Sequence, residues 1–377
     1  MIETLVGFDT TSRDSNLALI DFVRGYLDDH GVASELVFDE GRRKANLYAT
    51  LGPDDVGGVM LSGHTDVVPV DGQDWSGDPF AVVERDGRLY GRGTSDMKSF
   101  IAVALAAVPL FLERGLKTPV HLALSYDEEI GCIGVRRLIA ELAQRPVKPR
   151  LCIVGEPTLM RPVNGHKGKR SYRCHVHGFE CHSALAHTGV NAVEAAAELV
   201  AHLKSLARQK RDSGPFDPEY TPPYTTIHTG TIRGGTALNI VPKDCSFEFE
   251  FRYLPADDPQ AIYDSLQRFA EEKVIPEMKA VRPETGFRFE EMTSFPGLAT
   301  PADAEATQLA FALTGANSVG KVSFGTEAGL FNEAGIPTVV CGPGSIEQAH
   351  KPDEFIAVDQ VAECEGFMRR LMDRVCR

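Results

Sequence analysis

The chain has 377 residues, of which 43% are hydrophobic and 24% are charged, and its formal net charge is −14 at pH 7. These values fit a globular protein of two or three domains, and they exclude a disordered chain, a collagen-like fibre and a disulfide mini-protein. The acidic charge argues against nucleic acid or an anionic membrane as the main partner.

The cysteines and the first residues indicate the cellular compartment. The eight cysteines form no Cys-x-x-Cys pair, and several lie in apolar runs, which is typical of reduced thiols and not of a disulfide framework. Residues 1–4 lack the basic segment that opens a signal peptide, and the longest apolar run, 100–112, is too short to span a bilayer. We therefore expect a soluble, cytoplasmic protein.

The first 160 residues or so alternate helix and strand patterns. The spacing of apolar residues predicts helices at 17–27, 99–113 and 133–143, and strands at 45–50, 59–62, 120–125 and 151–154. Ser12 or Asp14 is the expected N-cap of the first of these helices. Continuously apolar strands that are separated by helices indicate a mainly parallel sheet with helices on both faces.

The pattern changes between about residues 165 and 294. Long segments with alternating polar and apolar residues predict strands at 169–177, 225–232, 245–253 and 286–292, with helices at 192–209 and 259–272. Alternation at period two is typical of half-exposed antiparallel strands, so this stretch is expected to form a separate α+β module. After Pro296 the helix–strand alternation returns, with a strand at 337–341 and a helix at 359–376.

The predicted fold class is therefore α/β, with a mainly parallel sheet and flanking helices, plus an inserted α+β domain. The expected boundaries are 1–164 and 295–377 for the α/β domain and 165–294 for the insertion. No internal repeat or low-complexity tract interrupts this organisation.

Acidic and imidazole side chains follow the ends of the predicted parallel strands. They are His64 and Asp66, the run Asp127-Glu128-Glu129, Glu156, and His350, which follows the last strand through a Gly/Pro loop; Asp96 lies in a Gly-rich turn just before a helix. In open α/β sheets, ligands bind beyond the carboxyl ends of the strands. Taken singly, each motif is more often a surface hydrogen bond, a solvated turn or a loop boundary. Their shared placement favours a metal site.

Two imidazoles and several carboxylates, without cysteine, suit a divalent zinc, cobalt or manganese ion. A two-ion arrangement follows naturally, with Asp96 shared, His64 and Glu156 on one ion, and His350 with an adjacent glutamate on the other. Asp66 is expected to fix the tautomer of the His64 imidazole. In an extended chain Glu128 and Glu129 point in different directions, so one binds metal and the other is free as a general base.

Four motifs lie between residues 62 and 158, and their order and spacing are part of a match along nearly the whole chain: Ser62-Gly63-His64-Thr65-Asp66-Val67-Val68-Pro69, Gly91-Arg92-Gly93-Thr94-Ser95-Asp96-Met97-Lys98, Asp127-Glu128-Glu129 and Gly155-Glu156-Pro157-Thr158. They resemble the M20 metallopeptidase family of dinuclear zinc deacylases. Three further stretches resemble the branch of that family that hydrolyses N-acetyl-L-ornithine: Gly165-His166-Lys167-Gly168, Phe324-Gly325-Thr326-Glu327-Ala328-Gly329, and 341–352.

The resemblance implies metal ligands at His64, Asp96 (bridging), Glu129, Glu156 and His350, with Glu128 as the general base. It implies two divalent ions, Zn²⁺ first and Co²⁺ as the alternative. The inserted domain is then a lid through which a homodimer forms. The expected reaction is hydrolysis of the acetyl amide of N-acetyl-L-ornithine to L-ornithine and acetate, a step of arginine biosynthesis.

The resemblance also assigns substrate contacts. In Gly178-Phe179-Glu180-Cys181-His182-Ser183-Ala184, His182 is expected to reach the partner subunit's active site. Asn239 and Arg252 match lid positions that help hold the substrate carboxylate, for which a guanidinium is well suited. Thr326 and Glu327 lie in a Gly-flanked loop, where Glu327 either binds a substrate ammonium or is structural.

Three alternatives remain open from the sequence. A succinyl-diaminopimelate desuccinylase shares all the expected ligands, and a general aminoacylase or dipeptidase is the next possibility. A non-catalytic binding homologue is disfavoured because the ligand set and Glu128 are intact. If the protein is an enzyme, its expected partner is a small N-acyl amino acid substrate.

Overall fold

The structure, a computed structural model, describes residues 1–377 and contains ten α-helices. They are α1 (Ile2–Val6), α2 (Leu17–Asp29), α3 (Lys98–Arg114), α4 (Val135–Ala143), α5 (Ala192–Ser213), α6 (Pro259–Phe269), α7 (Ile275–Val281), α8 (Glu305–Thr314), α9 (Ala328–Glu333) and α10 (Val358–Val375). A 3₁₀ segment covers Ser183–Thr188, and a π-helical turn over Ala270–Val274 joins α6 to α7.

Sixteen strands complete the secondary structure. They are β1 (Ser34–Phe38), β2 (Ala45–Leu51), β3 (Val59–His64), β4 (Val83–Arg85), β5 (Arg88–Tyr90), β6 (Val120–Ser125), β7 (Leu151–Pro157), β8 (Val163–His166), β9 (Gly168–His177), β10 (Thr226–Gly234), β11 (Asp244–Tyr253), β12 (Gly286–Phe295), β13 (Leu298–Ala299), β14 (Gly320–Val322), β15 (Thr338–Gly342) and β16 (Phe355–Ala357).

The chain divides into two compact units. The first unit comprises Met1–Gly165, Leu298–Lys321 and Thr326–Arg377, and the second comprises His166–Gly297 and Val322–Gly325. The second unit is therefore formed almost entirely by one continuous stretch of chain. The functional assignment of the two units as a catalytic domain and a lid stays a prediction.

A nine-stranded sheet is the centre of the first unit. Its order is β1-β2-β6-β3-β7-β15-β8-β13, with β14 paired to β8. The central strands β6, β3, β7 and β15 are parallel, whereas β1, β2 and β8 pair in the antiparallel sense. This arrangement confirms the predicted α/β class with a mainly parallel sheet.

The central strands are buried because helices pack against them. Every residue of β3, β6 and β7 is buried, as is expected for strands in the middle of a parallel sheet. Helix α3 packs closely against this sheet, since a Cβ atom on Gly155 would lie only 2.0 Å from the Phe100 ring. The glycine before Glu156 thus allows α3 to approach the strand that carries this carboxylate.

The second unit contains a four-stranded antiparallel sheet in the order β10-β11-β9-β12. Burial alternates strictly along β11, whose buried side chains include Phe247, Phe249 and Phe251. These side chains form a core with buried residues of α5 and α6. Asn191 caps the N-terminus of helix α5, since its side-chain oxygen accepts hydrogen bonds from the backbone N–H groups of Val193 and Glu194.

Two local predictions differ from the structure. The N-cap of α2 is Asn16, so the expectation of Ser12 or Asp14 is wrong. The Asn16 side chain does not cap the helix; it pairs with the backbone of Ala45. The helix predicted at 259–272 continues through the π-helical turn into α7, because apolar side chains on both sides of the turn bury against the second unit's core.

None of the ten helices combines the length and the apolar character that crossing a lipid bilayer requires. All eight cysteines are free thiols, and six of them are buried.

Candidate metal centre and active site

Five metal-competent residues of the first unit come together beyond the central strands. His64 is the last residue of β3, Glu156 lies near the end of β7, and Glu129 follows β6. His350 lies in the loop after β15, and Asp96 lies two residues before α3. Because β3, β6, β7 and β15 are parallel neighbours, their carboxyl ends meet at the same edge of the sheet.

Asp96 lies between the two imidazoles. Its Oδ1 is 3.0 Å from Nε2 of His64, and its Oδ2 is 3.3 Å from Nε2 of His350. Asp96 is only 5% exposed, and both distances are those of direct contacts. Each oxygen of Asp96 therefore faces a different histidine, which is the arrangement required of a bridging ligand.

One further carboxylate accompanies each imidazole. Glu156 Oε1 lies 3.6 Å from His64 Nε2, whereas Glu129 Oε2 lies 3.0 Å from His350 Nε2. Ligand atoms of His64, Asp96 and Glu129 all lie within 4.8 Å of one another. The five residues therefore form two groups that share Asp96. His64 is almost fully buried, and the His350 side chain is 51% exposed.

The orientation of the His64 ring is fixed by Asp66. Nδ1 of His64 lies 2.8 Å from the main-chain carbonyl oxygen of Asp66, and 3.6 Å from its carboxylate Oδ1. The carbonyl oxygen can only accept a hydrogen bond, so Nδ1 carries the proton and Nε2 presents a lone pair to the cluster. The sequence predicts that Asp66 accepts a hydrogen bond from His64. The nearest acceptor atom of Asp66 is its backbone oxygen and not its carboxylate.

Glu128 and Glu129 lie in a turn, and the assumption of an extended chain at this point is wrong. The carbonyl oxygen of Glu128 accepts the backbone N–H groups of Gly131 and Cys132, each at 2.8 Å. A carboxylate oxygen of Glu128 lies within 4.8 Å of ligand atoms of His64 and Glu156. The two neighbouring carboxylates thus both point into the cluster, and Glu129 is the one that contacts His350.

The cluster has an excess of buried negative charge. Burial first, and then the charge of Asp96, raises the pKa of Glu156 well above its ordinary value. Burial and the neighbouring carboxylates likewise raise the pKa of Glu128 well above its ordinary value. Burial and Asp96 raise the pKa of Glu129 to about 7, although His350 opposes this shift. The Glu129 Oε1 atom is buried without a hydrogen-bond partner. Carboxylates held this way, together with two imidazoles, fit divalent cations.

The side chains of Glu327 and Thr326 form hydrogen bonds with other groups of the protein instead of facing a substrate. Glu327 is fully buried, and its two carboxylate oxygens accept the hydroxyl groups of Ser62 and Ser125, each at 2.7 Å. The Thr326 hydroxyl accepts the backbone N–H of Ala328 at the start of α9. Glu327 thus bridges β3 and β6 just before their functional residues. This favours the structural alternative over contact with a substrate ammonium.

His182 and Asn239 lie together in the second unit. The backbone N–H of Ser183 donates to the carbonyl oxygen of Asn239 at 3.0 Å, and His182 forms a β-bridge with Ile240. Nδ1 of the exposed His182 ring accepts the backbone N–H of Ala184 at 3.1 Å. In the neutral ring the proton is then on Nε2, which can donate a hydrogen bond outward.

Arg252 lies near the end of β11, on the same face of the strand as Glu250. Its Nε donates to Oε1 of Glu250 at 3.1 Å. This contact holds the guanidinium in place and leaves its terminal nitrogens available for a carboxylate.

Several residues around the site form contacts that the sequence does not predict. The Ser12 hydroxyl donates to the Asp66 carboxylate at 2.7 Å, and the Lys44 ammonium pairs with Asp127. Neither residue belongs to a motif. Arg92 lies inside the Gly-rich turn, and Glu354 follows His350 by four residues, but nothing in the sequence indicates that these two side chains meet.

The comparisons with known proteins agree with this geometry. The sequence profile described as Peptidase family M20/M25/M40 matches residues 60–374. The chain is 36% identical over 383 residues to an acetylornithine deacetylase from Myxococcus xanthus, and the alignment covers 99% of this chain and 96% of the relative.

Solved structures share the fold. An M20 family metallo-carboxypeptidase from Sulfolobus solfataricus superposes with a TM-score of 0.79 at 18% identity, covering 100% of this chain and 98% of the other. A dinuclear metal-binding peptidase of the M20 family from Bacillus subtilis gives a TM-score of 0.69 at 16% identity, covering 100% and 96%. The profile match and the full-length relative show that the chain belongs to peptidase family M20, as its motifs indicated.

Proposed function

We propose that the protein is a metal-dependent amide hydrolase that removes the acetyl group from N-acetyl-L-ornithine, releasing L-ornithine and acetate. The observation that carries this proposal is the convergence of His64, Asp96, Glu129, Glu156 and His350 beside the carboxylate of Glu128. The near full-length similarity to an acetylornithine deacetylase supports this choice of substrate.

Two divalent ions, Zn²⁺ in our proposal and Co²⁺ as the alternative, would be held by the two groups that share Asp96. His64 and Glu156 would hold one ion with Asp96, and Glu129 and His350 would hold the other. The division follows the distances of each carboxylate from its own imidazole. When bound, such ions act as Lewis acids toward an amide oxygen and lower the pKa of water.

Glu128 is the general base. It takes a proton from the attacking water and delivers it to the leaving α-nitrogen of ornithine. Its pKa, raised by burial and by the carboxylates around it, suits both proton transfers better than an ordinary glutamate would. The Cys132 thiol lies 3.4 Å from Oε1 of Glu128 and helps to orient the carboxylate.

His182 stabilises the oxyanion that forms at the acetyl carbonyl. Its Nδ1 is occupied by the backbone N–H of Ala184, so Nε2 is the donor. Arg252 binds the substrate carboxylate through its terminal nitrogens. Asn239, in the segment that pairs with the His182 turn, helps to bind the same carboxylate.

The second unit is the lid, and a homodimer that forms through it lets His182 act in the partner subunit's site. Exposed apolar side chains beside the His182 turn support a covering partner. Leu238 is fully exposed and Ile240 is 38% exposed, and both border an open groove of about 730 Å³ that also includes Ser183. We also propose that the protein is located in the cytoplasm.

A comparison of substrates tests the assignment. The purified protein, supplied with Zn²⁺ or Co²⁺, is given N-acetyl-L-ornithine, N-succinyl-diaminopimelate and an unmodified dipeptide at equal concentrations. The proposal predicts the highest kcat/KM for N-acetyl-L-ornithine. A higher value for either of the other two substrates would contradict the assigned substrate while leaving the metal centre intact.

A further inference from the structure

Glu354 is a buried carboxylate that organises the turn carrying Asp96. It is 1% exposed, and its Oε1 accepts three backbone N–H groups, from Gly93 at 3.1 Å, Ser95 at 2.9 Å and Asp96 at 3.1 Å. A single oxygen thus fixes the path of the chain immediately before and at the bridging ligand. The reaction proposed above gives Glu354 no chemical step.

Arg92 and Gln73 extend this arrangement to His350. Nη1 of Arg92 donates to Glu354 Oε2 at 2.6 Å, and Nη2 donates to the Gln73 side-chain oxygen at 2.6 Å. The Gln73 amide nitrogen in turn donates to the carbonyl oxygen of His350 at 2.9 Å. His350 has a φ of 65°, a left-handed conformation that a non-glycine residue adopts only when its surroundings hold it there.

These contacts form a continuous chain of hydrogen bonds between two ligand backbones. It runs from the Asp96 N–H through Glu354, Arg92 and Gln73 to the His350 carbonyl oxygen. The side chains at its two ends are the pair whose Oδ2 and Nε2 atoms lie 3.3 Å apart. His64 and Glu156 lie in the central strands β3 and β7, which set the positions of their backbones.

We propose that Glu354, Arg92 and Gln73 are positioning residues that set the distance between Asp96 and His350, and thereby the affinity for the ion held by Asp96, Glu129 and His350. The ion held by His64, Asp96 and Glu156 depends much less on Gln73, which contacts His350 and no ligand of that ion. This inference rests on the two-ion site of the proposed function. It is independent of the substrate.

A purely structural role makes a different prediction. Removing one partner of a buried ion pair lowers stability whether or not a ligand lies nearby. A general loss of stability would not distinguish one ion from the other. Gln73 separates the two roles, since it is only partly buried and belongs to no ion pair, yet it is the residue that contacts His350.

The test measures Zn²⁺ binding to metal-free protein by isothermal titration calorimetry, with the melting temperature of each metal-free variant as a second readout. The variants are Glu354→Gln and Gln73→Ala. Asp257→Asn is the matched control, because Asp257 forms a largely buried ion pair with Lys210 in the second unit. His350→Ala serves as the reference for loss of one ion.

We expect Gln73→Ala to weaken the binding of one of the two ions by about 10–100-fold, the usual effect of removing a group that orients a metal ligand. Glu354→Gln should weaken the binding of that ion by a similar factor, and it also affects the second ion because both ions share Asp96. Adding Gln73→Ala to His350→Ala should leave the affinity of the remaining ion unchanged. Asp257→Asn should lower the melting temperature and bind both ions with the affinity of the unaltered protein.

Unaltered affinity for both ions in Gln73→Ala and in folded Glu354→Gln overturns the inference, as does an equal loss at both sites in Gln73→Ala. If Glu354→Gln does not fold, Gln73→Ala decides alone. An unaltered protein that binds a single ion overturns the two-ion site itself and this inference with it. That failure is distinguishable, since it appears before any variant is measured.

Discussion

A carboxylate oxygen of Asp66 accepts the backbone N–H of Glu128 at 3.1 Å, although the two residues are 62 positions apart. The other oxygen accepts the Ser12 hydroxyl and lies 3.3 Å from the backbone nitrogen of Glu129. The carbonyl oxygen of Asp66 meanwhile holds the ring of His64. One residue therefore positions His64, Glu128 and Glu129, two proposed metal ligands and the proposed general base, relative to each other.

Replacing Asp66 with Asn should reduce kcat by about 10–100-fold, as is typical for groups that orient metal ligands. The Asn amide nitrogen would face a backbone N–H, so at least one of the hydrogen bonds to the glutamate turn is lost. Asp71→Asn is the control, since Asp71 pairs with Arg13 on the surface. Equal kcat values for the two variants would contradict the positioning role of Asp66.

Replacing Glu128 with Gln should keep both ions bound and lower turnover by about 10²–10⁴-fold, the usual contribution of a general base. The amide has the size of the carboxylate but cannot take a proton from water. Metal content and single-turnover rates are measured on the same preparation. Glu129→Gln is the matched variant, and it should lose metal. Full activity of Glu128→Gln would remove this residue from the mechanism.

Replacing His182 with Ala should lower kcat by about 10²–10³-fold with a smaller change in KM, which is the effect of losing one oxyanion donor. His187→Ala provides the control, since His187 is an exposed histidine in the 3₁₀ segment that His182 caps. The kinetics of both variants are measured with N-acetyl-L-ornithine. An unaltered kcat in His182→Ala would identify His182 as a structural residue of the turn.

A buried histidine away from the metal centre makes stability depend on pH. Burial first, with help from the charge of Arg145, lowers the pKa of His121 to about 4, and its Nδ1 lies 2.8 Å from the Tyr48 hydroxyl. The unfolded chain takes up a proton on this histidine near pH 6.5, whereas the folded protein does so only near pH 4. Stability is therefore lost as the pH falls through this window.

The expected loss from His121 is about 2 kcal/mol of unfolding free energy between roughly pH 7.5 and pH 5. Denaturant titrations of the metal-free protein at both values measure it. In His121→Gln, which has no titrating ring, the difference between the two pH values should shrink by that amount. The same difference in the variant and the unaltered protein would show that His121 titrates normally.

The placement of the metal-competent residues was predictable because it follows from strand order. Continuous apolar runs identified β3, β6 and β7, and parallel strands bring their carboxyl ends to one edge. His64, Glu129 and Glu156 therefore had to lie close together. The choice of Glu128 as the base came from the family resemblance, because the turn that separates it from Glu129 has no clear pattern in the sequence.

Contacts between distant side chains were not predictable. Arg92 and Glu354 are 262 positions apart, and each stands in a local sequence that reads as a turn or a loop. Glu327 lies in a Gly-flanked loop, which suggested exposure, yet α9 buries it against Ser62 and Ser125. Such pairings depend on tertiary packing, which neither periodicity nor spacing records.

We propose that this chain releases ornithine from N-acetyl-L-ornithine by means of a divalent-metal centre. The most direct test strips the purified protein of metal, restores Zn²⁺ or Co²⁺, and measures L-ornithine release at each stage. We expect no release from the stripped protein and recovered release after either ion is returned, except in Glu128→Gln. Release that is unaffected by metal removal, or no release after tight binding of both ions, would contradict it.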